Sequence, residues 1–265
     1  MTKTILITGA TSGIGLETAK MMASEGHTLL LHGRSQGSLA KAVKTVSAIA
    51  GGGDIKTYAA DLSVLPDVKL LADEIKSDFK SIDTLINNAG VFKMSDPVTK
   101  DGYDARFIVN VVAPYMLTKA LLPTLGSNGR VVNLSSAAQA PVNLQGFLNK
   151  QVFSDSDAYA QSKLALTMWS FGMANELGAK GPMIVAVNPA SFLGSKMVKE
   201  AYGREGNDLS IGADILTRAA LSDEFTDASG RYYDNDRKSF AQPHPDALDS
   251  AKNKKLVEAI ERLIT

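Results

Sequence analysis

Cysteine is absent from the 265-residue sequence. Disulfides, thiolate metal sites and cysteine nucleophiles are thereby excluded, and a reducing compartment is the natural setting. Net charge is missing too: 28 Lys and Arg balance 28 Asp and Glu. Nucleic acids and anionic membranes select basic surfaces, so neither is an expected partner. Histidine is scarce; His27, His32 and His244 lie far apart without ligand spacing, and no metal site is expected. No apolar run reaches the roughly 18 residues of a membrane span. Met1 leads straight into an apolar strand rather than through a signal-peptide layout. These absences lead to the expectation of a cytoplasmic protein.

What is present is a core-forming composition, 45% hydrophobic, with short apolar runs alternating with segments of helical period. Runs 5–7, 28–31, 55–59, 84–86, 130–134 and 183–187 read as buried strands. Segments 13–24, 38–50, 64–79, 101–125 and 157–178 read as helices. Such alternation implies an α/β fold: a doubly wound, Rossmann-like parallel sheet in three αβα layers. Gly51, Gly52 and Gly53 read as a connection within one domain spanning 1–265. Residues 189–207 lack a period and read as a mobile excursion over the C-terminal edge of the sheet, where ligands bind in such folds. A helix at 208–221, a short strand at 231–233 and a helix at 251–263 follow.

The first strand runs into Thr8-Gly9-Ala10-Thr11-Ser12-Gly13-Ile14-Gly15 and then a helix. Glycines 9, 13 and 15 permit a tight turn and close approach of a pyrophosphate, and the helix start offers free N–H groups. The spacing is not G-x-G-x-x-G. The second strand ends His32-Gly33-Arg34-Ser35, with no carboxylate to accept a ribose 2′-hydroxyl. A guanidinium suits a 2′-phosphate, which makes Arg34 a candidate for selecting NADP, with NAD also open.

Tyr159 and Lys163 are four residues apart and share a helix face. A fixed cation favours phenolate and draws the tyrosine pKa toward neutrality, as an acid/base pair requires. Tyr115 and Lys119 have the same spacing, but Tyr115 sits in an apolar stretch and reads as a packed residue. Tyr159 differs in context: the strand 130–134 ends in Ser135-Ser136, which presents hydroxyls at the same sheet edge.

Taken in order, residues 8–15, Asp61-Leu62, Asn87-Asn88-Ala89-Gly90, Asn110, Ser135-Ser136, Tyr159 to Lys163 and Asn188-Pro189 resemble the motifs of the short-chain dehydrogenase/reductase family. The resemblance implies that Gly9, Thr11, Ser12, Gly13, Ile14 and Gly15 line the dinucleotide. It implies that Asp61 and Leu62 line the adenine pocket and that Asn88, Ala89 and Gly90 pass the ribose. Asn110 would hold a proton-relay water, Ser136 would orient the substrate oxygen and Tyr159 would transfer the proton. Lys163 would bind the nicotinamide ribose, and Pro189 and Ser191 the carboxamide. Many relatives form homodimers or homotetramers through the helices around Asn110 and Tyr159, while some are monomers.

The sequence departs from the family's common pattern in two places. A longer insert separates Ser136 from Tyr159, as in the branch resembling retinol dehydrogenase and protochlorophyllide reductase, and Ala190 replaces the usual glycine after proline. Phe147, Phe153, Phe192, Met197 and Tyr202 are candidates for an apolar substrate wall, or for pinning their loops to the domain. The expectation is an NADP-dependent oxidoreductase interconverting carbonyl and alcohol on a mostly apolar small molecule. Reduction of an activated C=C bond and non-catalytic NADP sensing are the alternatives.

Overall fold

A computed structural model describes residues 1–264 apart from Ala50, Gly52 and Arg204, without the side chains of Lys196, Ala201 and Tyr202. The middle of the triple-glycine connection and the wall role expected for Tyr202 therefore lie outside the described residues.

Alternation along the strands decides the sheet. In β1 (Thr4–Ile7), Ile5 and Ile7 enter one apolar cluster and Leu6 the other; in β2 (Thr28–Gly33), Leu29 and Leu31 oppose Leu30 in the same way. A strand apolar on both faces is stable only with helices covering both, which is the parallel doubly wound arrangement. Strands β3 (Ile55–Ala59), β4 (Thr84–Asn87), β5 (Arg130–Leu134), β6 (Met183–Asn188) and β7 (Arg231–Asp234) extend it in parallel. β8 (Ser239–Ala241) closes one edge antiparallel to β7, and the spatial order is β3-β2-β1-β4-β5-β6-β7-β8.

The helices, in chain order, are α1 (Gly13–Ser24), α2 (Gln36–Ser47), α3 (Leu65–Asp78), α4 (Ala105–Phe107), α5 (Ala113–Leu125), α6 (Leu144–Leu148), α7 (Asp155–Leu177), α8 (Lys196–Tyr202), α9 (Leu209–Leu221) and α10 (Ser250–Ile264). Helices α1, α2 and α9 cover one face of the sheet, and α3, α5 and α7 the other, where α10 packs outside α7. Tyr115 is a packed residue: it is buried, meets Trp169 edge-on and donates its hydroxyl to Glu261 of α10.

Three expectations need correction, and the insert adds a short helix. Segment 189–207 is not without period, because Ser195 caps α8 and Gly203 ends it in the left-handed region at φ 65°. The insert forms α6, capped by Asn143. The helix expected from 101 starts at Ala105 and is interrupted by a π-turn, Ile108–Val112, between α4 and α5. Finally, Ala105–Leu125 is by length and composition apolar enough to cross a bilayer, but 72% of its most apolar window is buried in this fold. It is hydrophobic all round because it is sandwiched in the core.

Candidate active site

The C-terminal ends of β1 to β6 open into one cavity of about 1250 Å³. Its floor is the turn from β1 to α1. Gly9 takes φ 66°, and a Cβ there would stand 2.9 Å from the Ala89 Cα. The Asn88 amide donates to the carbonyls of Thr8 (2.8 Å) and Gly9 (3.1 Å), and Ala89 N–H donates to Thr8 Oγ1 (3.0 Å). The loop is thus fastened to the segment after β4. Thr11, Ser12, Gly13 and Ile14 line the cavity, whereas Gly15 does not. A Cβ on Gly15 would lie 2.4 Å from Asn88 Nδ2 and 2.5 Å from Gly9 O, so this glycine serves close packing of α1 on the loop. Ser12 makes no side-chain cap and the first turn of α1 holds no acid. The helix start therefore retains N–H groups and positive potential, the donor set a pyrophosphate fits.

His32 supports this floor and was not singled out from the sequence. Gly9 N–H can only donate, so Nδ1, 3.3 Å away, accepts, and Nε2 donates to Ala60 O at 3.1 Å. The bond accepted by Nδ1 requires the neutral ring, and burial lowers the His32 pKa below its usual value. Beyond it, Arg34 is exposed at the cavity rim beside Ser35 and Ser38 and makes no ion pair among the described residues. Asp61 and Leu62 line the same end; Asp61 is oriented by Ser63, which donates its N–H (2.9 Å) and hydroxyl (2.7 Å). Asn88, Ala89 and Gly90 line the middle of the cavity.

At the other end Tyr159, Lys163 and Ser136 face the same space. Lys163 is buried, its Nζ donating to Leu134 O (2.6 Å) and lying 5.5 Å from the centroid of the Tyr159 ring. Burial draws its pKa down to about 8, below the ordinary lysine value. Phe92 packs edge-on against Tyr159, centroids 4.8 Å apart. Of the serine pair, Ser135 is buried and bonded to Thr167 Oγ1 (2.7 Å), while Ser136 lines the cavity and its Oγ accepts from Ala138 N–H (3.1 Å). Asn110 does not reach the cavity wall. Its side chain exchanges two hydrogen bonds with the Val91 backbone and donates to Ser162 Oγ (3.0 Å), which in turn donates to Tyr159 O. The amide ties the Tyr159 helix to the segment after β4.

The model of the short chain dehydrogenase family matches residues 3–206. The chain belongs to the short-chain dehydrogenase family. It is 28% identical to human retinol dehydrogenase 13 over 281 residues, covering 99% of this chain and 84% of that protein. Among solved structures, a Mycobacterium paratuberculosis protein superposes with a TM-score of 0.81 at 26% identity, covering 99% of this chain and 93% of that one. A short chain dehydrogenase from Shigella flexneri complexed with NADP gives 0.70 at 26% identity, covering 88% and 97%. As a short-chain dehydrogenase, the protein is an oxidoreductase acting on alcohol or carbonyl groups.

The substrate end of this short-chain dehydrogenase differs from expectation. Phe147 and Phe153 do not line the cavity: Phe147 stacks on Phe107 at 4.8 Å, and Phe153 lies 5.8 Å from the same ring. They pin the insert, with buried Arg106 bonded to Asp104, Asp155 and Phe153 O. Phe192 and Met197 line the cavity as expected, together with Val91, Phe92, Met94 and Leu193. Phe92 and Met94 were legible in principle, as apolar residues directly after the Asn-Asn-Ala-Gly motif. Pro189 and Ser191 line the same cavity.

Proposed function

We propose that the protein interconverts carbonyl and alcohol groups on a mostly apolar small molecule, with NADP as cofactor and Tyr159 as proton donor. The observation that carries this reading is convergence: Tyr159, Lys163 and Ser136 share one cavity with the glycine-rich loop and Arg34. NADPH, when bound, supplies hydride from nicotinamide C4. The uncapped start of α1 would hold the pyrophosphate, Arg34 with Ser35 and Ser38 the 2′-phosphate, and Asp61 with Leu62 the adenine. Lys163 would bind the nicotinamide ribose, and Pro189 and Ser191 the carboxamide.

Tyr159 gives its phenolic proton to the substrate oxygen as negative charge develops there, and Ser136 donates a second hydrogen bond to the same oxygen. The Lys163 ammonium favours the phenolate that this transfer leaves behind. The Phe92, Met94 and Met197 wall excludes water and suits an apolar body. Because α10 already covers α7, with Leu256 and Ile260 buried among Trp169 and its neighbours, a monomer is the better-supported state.

The test is NADPH oxidation across panels of ketones, aldehydes and enones. Tyr159→Phe should lower kcat by roughly 10²–10⁴-fold with NADPH affinity unchanged. Turnover restricted to enones, or a variant that keeps most of its rate, would overturn the reading.

A further inference from the structure

The segment after β6 is held from outside itself. Ser191 sits between Ala190 at φ 117° and Phe192 at φ 54°. Both flanking residues carry a Cβ in backbone regions that favour glycine, and such conformations persist only where the surroundings over-determine them. The surroundings here are the turn between β7 and β8 and Asn207, which precedes α9. Asp236 Oδ1 accepts the Ser191 N–H (2.8 Å), and Oδ2 accepts the Ser191 hydroxyl (2.7 Å) and the Asn188 amide (2.9 Å). Asn235 donates to Pro189 O (2.9 Å), and Asn207 donates to Ser191 O (3.2 Å). Partial burial opposes charge on Asp236, but the bonds from Ser191 and Asn188 prevail and hold its carboxyl below the usual value.

Pro189, Ala190, Ser191 and Phe192 line the cavity; Asp236 does not. We propose that Asp236 is a positioning residue for the nicotinamide end of the cofactor site, acting through Ser191 to hold this strained wall in place. The inference rests on the NADP reading above. It has a chemical corollary: the Ser191 hydroxyl proton is already given to Asp236, so that oxygen faces the cavity as an acceptor. It suits the N–H of a carboxamide rather than its carbonyl.

A purely structural hairpin fastening would weaken every ligand alike, whereas a positioning role weakens only ligands that carry nicotinamide. The probes are NADPH and 2′,5′-ADP, which lacks the nicotinamide half, with binding measured by calorimetry on the full chain. Asp236→Ala should raise the Kd for NADPH about 10-fold, the scale of one lost charge-assisted contact, and leave that for 2′,5′-ADP within about twofold. Asp236→Asn keeps one acceptor oxygen and the turn, and should give a smaller rise of about threefold in the same direction. Adding Ala190→Gly to Asp236→Ala should recover part of the lost NADPH affinity, because glycine holds the same backbone without the clamp. Equal weakening of both probes, unchanged NADPH binding, or no recovery in the double variant would each overturn the proposal. Wild-type protein that binds neither probe would instead sink the dinucleotide reading, and this inference with it.

Discussion

The loop after β1 and the loop after β6 line the same cavity and both carry left-handed backbone, yet they are built from different residues. In the first, the left-handed positions are Gly9 and Gly13, which have no Cβ to clash, and the fastening groups are the neutral amide of Asn88 and the neutral ring of His32. In the second, the left-handed positions are Ala190 and Phe192, and the fastening groups include the Asp236 carboxylate beside Asn235 and Asn207. Removing side chains makes a conformation intrinsically accessible; bonding to a neighbour makes it conditional on that neighbour. Both loops are thus fastened from outside, the first by Asn88 80 residues away and the second by a hairpin 45 residues away, but only the second holds residues with a Cβ in left-handed backbone.

The contrast can be broken from either side. The largest effect is expected for Gly15→Ala, whose Cβ meets Asn88 and the Gly9 carbonyl within 2.5 Å. Overpacking there should cost about 3 kcal/mol and lower Tm by roughly 6–12 °C, measured by calorimetry. A variant with unchanged Tm would show that close packing of α1 on the first loop does not require glycine at position 15. A medium effect is expected from acid. Because the His32 pKa is lowered on folding, the unfolded chain takes up a proton first as pH falls below about 6.5, and stability is lost through that window. The urea midpoint should fall between pH 7 and 5.5, and His32→Asn should flatten that dependence; equal slopes would remove His32 from the account. The smallest effect is expected for Ala190→Gly alone. Relief of strain at φ 117°, offset by added unfolded-state entropy, should raise stability by about 0.5–1 kcal/mol, read as a small gain in Tm. A loss would mean that the second loop is less strained than its backbone indicates.

The sequence carried the sheet because strands such as Ile5 to Ile7 and Val131 to Val132 are apolar on both faces, a pattern that admits few other folds. It also carried the residues that converge on the cavity, because Tyr159, Lys163, Ser136 and the glycine-rich loop belong to short motifs with fixed spacing. Asp236 was not legible, since its partner Ser191 lies far away in the chain and only the β6–β7 register brings them together. His32 was hidden for a related reason: its role depends on Gly9 and Ala60, which belong to two other strand ends. β8 was missed because three residues with an exposed serine show no period, and α8 because its caps, Ser195 and Gly203, stand in a segment otherwise rich in loop residues. Phe147 and Phe153 were ambiguous, as an aromatic side chain looks alike in sequence whether it lines a cavity or stacks under one.

The three-residue strand that carries the far side of the β7–β8 turn also forms the outer margin of the sheet. Margins fray before centres do, because fewer bonds must open. Gentle warming should therefore unlatch the hairpin while the interior remains intact, and catalytic rate should fail at a lower temperature than far-ultraviolet circular dichroism records for melting. Thermal tolerance of this protein would then be set by its thinnest strand rather than by its core.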